Sequence, residues 1–225
     1  MSWFKSEYPE KYKKTSRFVN IPEYLIHLMT GKYVTDYTYG SRSNLMNIRT
    51  CQWDEDLLNL FCIDKEQLCE LRMPGEICGY IQREFASLTG LKEGIPVISA
   101  GGDQQCGAVG HGVFKSGSCS VTTGTGAYLI ATVDSVPEYL SEDIICNYSA
   151  VKEKYILECS VLTCCSAFDW YIRNFYDWKK PDYDAINFAL SKKYSRRSSC
   201  MVLPYFQGRG TPDWNATANA TFHKI

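Results

Sequence analysis

A carboxylate stands among glycines at Gly101-Gly102-Asp103-Gln104-Gln105. The residues before it, Pro96-Val97-Ile98-Ser99-Ala100, form a short apolar run, which predicts a buried strand ending in a tight turn. An acid held just past a strand end, beside residues that lack side chains, can meet a ligand hydroxyl and take its proton. Its neighbours could then hydrogen-bond a polyol. The spacing alone also fits a structural role, with Asp103 as the N-cap of a helix over residues 104–109. A second unit of the same kind follows. Residues 118–123 are β-prone and run into Gly124-Thr125-Gly126, and residues 127–133 resume as strand. Glycines flanking a hydroxyl can turn backbone N–H groups toward a phosphate, although an ordinary β-turn uses the same residues.

Other chemistries find less support. There is no Walker A and no GxGxxG pattern. His27, His111 and His223 are scattered, so neither a histidine metal pair nor a Ser-His-Asp constellation is spaced for. The eleven cysteines are odd in number and include no CxxC pair. Cys159, Cys164 and Cys165 lie close in sequence, but no second cluster completes a zinc set. Most of the cysteines are expected to be small buried thiols in a reducing compartment. A weaker alternative makes them the basis of a metal or redox protein. The sequons at Asn147, Asn215 and Asn219 are read as chance matches. Taken locally, Thr35-Asp36-Tyr37-Thr38 with Ser41-Arg42 is a solvated loop. Trp170, Tyr171, Phe175, Tyr176 and Trp178 read as core and rim packing.

The elements that must position these residues alternate between strand and helix, which gives an α/β class. Residues 10–30 carry Phe18, Ile21, Leu25 and Leu28 at helical spacing, with a break or restart at Pro22 and a stop at Gly31. Short helices are expected over 54–61 and 84–89, the second ended by Gly90. Strands are read over 143–149 and 154–159, helices over 166–178 and 185–193, and an apolar run over 201–205. A boundary near residues 112–117 separates the two strand-glycine units, giving domains of 1–112 and 113–225. The net charge of -1 offers no electrostatic reason to bind nucleic acid or an anionic membrane. No apolar run approaches the ~20 residues that span a bilayer, and the polar opening residues suggest no signal peptide. A cytoplasmic location is expected.

The order of the segments adds a resemblance. Leu28-Met29-Thr30-Gly31, Thr35-Asp36-Tyr37-Thr38, Ser41-Arg42, Trp53-Asp54 and Leu57-Leu58 resemble a run found in the FGGY carbohydrate kinases, of xylulokinase and glycerol kinase type. Glu76-Ile77-Cys78-Gly79, Thr89-Gly90-Leu91, Gly94-Ile95-Pro96-Val97 and Gly102-Asp103-Gln104-Gln105 follow in that family's order. So do Gly124-Thr125-Gly126-Ala127, Leu203-Pro204-Tyr205, Gly208-Arg209, Thr211-Pro212 and Trp214-Asn215. Each motif is short, but the collinear set covers essentially the whole chain.

The resemblance implies an actin-like, ribonuclease H-like ATPase fold with two lobes, both incomplete here. Residues 1–112 would belong to the sugar-binding lobe and 113–225 to the nucleotide-binding lobe. It implies transfer of the γ-phosphoryl of ATP, with Mg²⁺, to a sugar or polyol hydroxyl, a pentulose such as xylulose first among them, with glycerol and gluconate as alternatives. Asp103 would be the general base and a ligand of Mg²⁺, directly or through a water, and Gln104 would contact the substrate. Gly124, Thr125 and Gly126 would hold phosphate oxygens. A homodimer of the full-length protein is left open.

The family's first phosphate motif and its adenosine-binding glycines have no counterpart, so the chain is read as an internal piece, inactive alone and with unpaired sheet edges. Cys164-Cys165 stand where the family usually has small glycines near the nucleotide, and 218–225 replace further glycines. A rival reading is therefore a non-catalytic remnant with a binding or regulatory role.

Overall fold

Local capping chemistry sets most of the helix boundaries. The structure is a computed structural model that describes residues 1–141, 143–175, 182–193 and 199–224. Helices α1 (Ser2–Glu7) and α2 (Pro9–Lys14) open the chain, followed by an irregular segment and α3 (Ile21–Thr30). Asn20 and Glu23 form a reciprocal capping box at the start of α3, and Gly31 closes it in the left-handed region at φ 72. Pro22 lies in the first turn, where its missing N–H costs nothing. The single stretch expected over 10–30 is thus two helices, and the proline restarts the second.

Strand β1 (Val34–Asp36) runs directly into α4 (Tyr37–Arg42), where a solvated loop was expected. Then come the antiparallel pair β2 (Met46–Asn47) and β3 (Gln52–Trp53), and α5 (Glu55–Phe61), capped by the Asp54 side chain. β4 (Glu70–Arg72) pairs parallel with β1, Thr35 opposite Leu71. β5 (Ile77–Tyr80) pairs antiparallel with β6 (Pro96–Ile98), and α6 (Arg83–Thr89) between them ends at Gly90. Only Val97 of β6 is buried, so this strand is half-exposed rather than the fully buried one its apolar sequence suggested. α7 (Asp103–Gly110) follows.

Two clusters hold this region. Ile26, Val34, Cys78, Ile81 and Val97 pack α3 onto β1, β5 and β6. Leu45, Leu58, Ile63 and Leu68 pack around Trp53. At Gly79 the backbone of β5 passes so close to α3 that an added Cβ would stand 2.6 Å from Thr30 Cβ.

Beyond α7 a four-stranded sheet has the order β7-β8-β10-β9, formed by β7 (Cys119–Thr123), β8 (Ala127–Val133), β9 (Ile145–Tyr148) and β10 (Tyr155–Val161). The chain divides into two units. The first holds 1–118, 131–138 and 146–157, and the second holds 119–130, 139–145 and 158–225. The second unit also carries α8 (Cys165–Phe175), α9 (Tyr183–Lys193) and the antiparallel pair β11 (Met201–Leu203) and β12 (Thr221–His223). The end of the helix expected over 166–178, with Tyr176 and Trp178, lies outside the described residues.

The cysteines are less buried than expected. Cys69 and Cys78 are enclosed, whereas Cys62, Cys119, Cys165 and Cys200 are exposed. Burial pushes the Cys69 thiol up to about 12.

Two outcomes follow. Gly79→Ala overpacks the contact with Thr30 and should lower the urea-unfolding free energy by ~1–3 kcal/mol. A midpoint unchanged from that of the parent chain would contradict the close approach. Because only the thiolate is nucleophilic, Cys69 in the folded chain should resist iodoacetamide at pH 9, with reaction rising only toward pH 12, while Cys62 reacts readily. Peptide mapping by mass spectrometry distinguishes the two.

Candidate functional site

Asp103 is exposed and is the first residue of α7, with Gly102 at the N-cap position. The capping role open to Asp103 from sequence is not taken, because no side chain caps this helix. Asp103 Oδ1 accepts the N–H of Gln104 at 2.8 Å. That bond fixes the carboxylate on its own turn and leaves the other oxygen toward solvent. Gln104 is half-buried beside it.

The turn behind Asp103 is fixed by a residue that sequence reasoning placed in a solvated loop. Asp36 is completely buried. Its Oδ1 accepts the Thr38 N–H at 2.8 Å and the Tyr39 N–H at 3.4 Å, capping α4. Oδ1 also accepts the Thr38 hydroxyl, and Oδ2 accepts the Ser99 hydroxyl from the end of β6. Thr38 Oγ1 in turn accepts the Gly102 N–H at 2.8 Å. One buried carboxylate therefore ties the start of α4, the end of β6 and the start of α7 together. The D-x-T spacing, with the acid two residues before a hydroxyl, was the available signal for such a cap.

The first glycine of the turn is required by its backbone. Gly101 has φ 118, which side chains rarely adopt, and an added Cβ would lie 3.3 Å from Ala150 Cβ and Thr38 Cγ2. At Gly102 a Cβ would stand 2.5 Å from Gln105 Oε1. The Gln105 side chain folds back over the turn, is 1% exposed, and leaves its Nε2 without a partner. Burial, followed by the negative charges of Asp36 and Asp103, pushes the Tyr39 hydroxyl above its ordinary range. Tyr39 also borders a cavity lined by Asn20, Glu23, Thr35 and Trp53.

In the second unit, Gly124-Thr125-Gly126 joins β7 to β8. Its carbonyls are held by the start of α8. Thr125 O accepts the Cys164 N–H at 2.8 Å and the Ser166 hydroxyl at 2.8 Å, and Gly124 O accepts the Cys165 N–H at 2.9 Å. The Gly124 N–H closes onto Gly126 O at 2.7 Å. A Cβ at Gly126 would meet Val161 O at 2.6 Å, so this glycine serves internal packing. At Gly124 a Cβ would meet nothing nearer than Gly126 O at 4.0 Å, which leaves an open approach beside the exposed Thr125.

These residues fit the groups the sequence implied in part. A solvent-facing carboxylate oxygen on Asp103 suits Mg²⁺, which is usually held by one or two carboxylates plus water and phosphate. The open face of Gly124 and the Thr125 hydroxyl suit a phosphate.

Residues 1–110 match the sequence profile described as "FGGY family of carbohydrate kinases, N-terminal domain". The chain is 29% identical to the glycerol kinase of Thermococcus kodakarensis over 97% of its length, but spans only 44% of that protein. Among solved structures, the ligand-bound xylulose kinase from Lactobacillus acidophilus superposes with a TM-score of 0.86 at 26% identity, covering 99% of this chain and 45% of that one. Gluconate kinase from the same organism gives 0.88 at 26% identity, covering 100% and 45%.

Thr38 supplies a hydroxyl that donates and accepts at once. Thr38→Val keeps the volume but strands both the Gly102 N–H and a lone pair of Asp36. Stability should fall by ~1–3 kcal/mol, read by chemical denaturation, whereas Thr38→Ser should recover most of the loss. Equal stability of the valine and serine variants would show that the hydroxyl is not the link.

Proposed function

Because the chain belongs to the FGGY family of carbohydrate kinases, we propose that the protein containing it transfers the γ-phosphoryl group of ATP to a hydroxyl of a small sugar or polyol. The chain is α/β and carries an incomplete part of the actin-like fold of those kinases. The observation that carries the reading is the exposed Asp103 carboxylate, with its turn pinned from beneath by Asp36 and Thr38. Phosphoryl transfer asks little covalent chemistry of a protein and depends on positioning and charge neutralisation.

Asp103 accepts the proton of the attacking acceptor hydroxyl at its free oxygen while Gln104 hydrogen-bonds a neighbouring hydroxyl. In the second unit the Thr125 hydroxyl, with room left by Gly124, receives a phosphate oxygen. ATP, when bound, would supply the transferred group, and Mg²⁺, which Asp103 would hold directly or through a water, would neutralise its charge. The sequence places a pentulose such as xylulose first. The similarity to glycerol kinases across nearly the whole chain favours glycerol as the second acceptor. Among the described residues no helix is long and apolar enough to cross a membrane, and we assign the protein to the cytoplasm.

The test is a panel of xylulose, gluconate and glycerol with ATP, run on the chain and on any longer polypeptide that carries it. Asp103→Asn should lower kcat by ~10² or more while acceptor binding persists, as expected for a lost base. Turnover equal to that of the parent protein would remove Asp103 from the chemistry. Absence of phosphorylation of any sugar or polyol would remove the kinase reading itself.

A further inference from the structure

The cavity bordered by Tyr39 holds a carboxylate and a hydroxyl for which phosphoryl transfer has no use. Its volume is about 210 Å³, and all its lining residues belong to the first unit. Side chains along a strand alternate between its two faces. On β1, Val34 packs with Ile26 and Val97, and Asp36 reaches Ser99 at the end of β6. Thr35, between them, faces the opposite side, where Leu45, Trp53 and Leu68 line the cavity with it. Thr35 is 2% exposed, and its hydroxyl has no hydrogen-bond partner. A hydroxyl buried in that way is unfavourable, so a ligand that bonds to it gains more than at an exposed group.

Glu23 supplies the charge. It is 6% exposed, and only its Oε2 serves the capping box, where it accepts the Asn20 N–H at 2.5 Å. No ion pair among the described residues reaches this carboxylate. No lysine, arginine or histidine lines the cavity, so an anion entering it would meet an uncompensated acid. Other polar groups on the walls are already occupied. Trp53 Nε1 donates to Cys69 O at 2.9 Å, and Ser43 Oγ donates to Gly40 O at 2.6 Å.

These features select the ligand. A divalent cation asks for about six oxygens or more, and among the described residues no three His, Cys, Asp or Glu side chains converge. A primary ammonium carries three N–H donors and a positive charge on an apolar stem. Its N–H groups suit Glu23 and Thr35, and its stem suits Leu45 and Leu68. The geometry points to this cavity as a binding site for a small primary alkylammonium ion. A water takes up about 30 Å³ of liquid, so the space admits a molecule of a few heavy atoms and excludes a nucleotide or a sugar phosphate. The site is separate from the kinase reading, because it needs neither nucleotide nor acceptor.

The experiment is a calorimetric titration of the 225-residue chain with n-propylammonium chloride, compared with propan-1-ol, sodium propionate and potassium chloride. Propylammonium should bind saturably, one ion per chain, and roughly tenfold or more tighter than the alcohol, as expected when a charge is paired. Propionate and potassium should not compete. Glu23→Gln keeps an oxygen to accept the Asn20 N–H and removes only the charge. Thr35→Val keeps the volume and removes only the hydroxyl. Each should weaken binding by about tenfold, whereas Cys62→Ser, at a remote exposed thiol, should leave it unchanged. Nuclear Overhauser contacts from the propyl protons to Leu45 and Leu68 place the ion in the parent chain, which decides the matter if either variant fails to fold. Absence of saturation, equal affinity for the alcohol, or contacts elsewhere on the chain overturns the assignment, whether or not the protein phosphorylates anything.

Discussion

A carboxylate with no access to water must be surrounded by donors, and Asp36 is such a carboxylate. An isolated buried charge is severely penalised, so folding is favourable only where hydrogen bonds replace its hydration shell. The donors come from three places: the first turn of α4, the hydroxyl of Ser99 and, through Thr38, the Gly102 amide. Bonds to a charged acceptor contribute about 1.5–3 kcal/mol each, more than neutral ones. Satisfying one desolvated acid therefore brings together segments more than sixty residues apart in sequence. The exposed acid at Asp103 inherits its position from the buried one. Two aspartates do opposite work here, one fixing geometry in the interior and the other meeting solvent at the end of the same chain of bonds.

The turn in the second unit is fixed without any charge. There the carbonyls of Gly124 and Thr125 accept the first N–H groups of α8. Those amides would otherwise be unpaired at a helix start. The arrangement spends on the protein itself some of the donors that a helix start could offer a phosphate. What remains for a ligand is the Thr125 hydroxyl and the free space over Gly124. The first unit thus presents a charged group on a rigid base, and the second presents a small polar surface on a rigid loop.

Much of this was legible from residue order. Gly31 and Gly90 stop helices as their positions indicated, and both take left-handed backbone angles. The strands around Gly124 and the helix after Gly102 also lie where the pattern put them. The collinear motifs identified the family, because many short matches in one order are far more specific than any one of them. The Asp36 network was not legible locally. Its polar, hydroxyl-rich sequence has the composition of a loop, and only tertiary burial converts a loop-like string into a strand end and a capped helix. Burial also explains the error over the cysteines. Thiols are commonly interior, but composition cannot say which of eleven end on a surface. Val97 shows the same limit in reverse, since an apolar strand in a two-stranded ladder covers only one face.

The glycines near the candidate site look alike in sequence, yet each is glycine for a different physical reason. Gly101 is needed for its backbone angle, while Gly102 leaves space that the amide oxygen of Gln105 fills. Gly126 is needed because the Val161 carbonyl passes where its Cβ would be. Only Gly124 opens onto unoccupied space. A glycine-rich motif is usually taken as a place where backbone approaches ligand, but at two of these four positions, Gly102 and Gly126, the near neighbour is protein, and at Gly101 the backbone angle decides. The same contacts that forbid a side chain also make the turns stiff, and a stiff turn holds Asp103 or Thr125 at a fixed point without spending binding energy to do so. What each unit leaves exposed is therefore small: the Asp103 side chain in the first, and in the second the Thr125 hydroxyl beside the open Gly124, with the remaining glycines serving as frame.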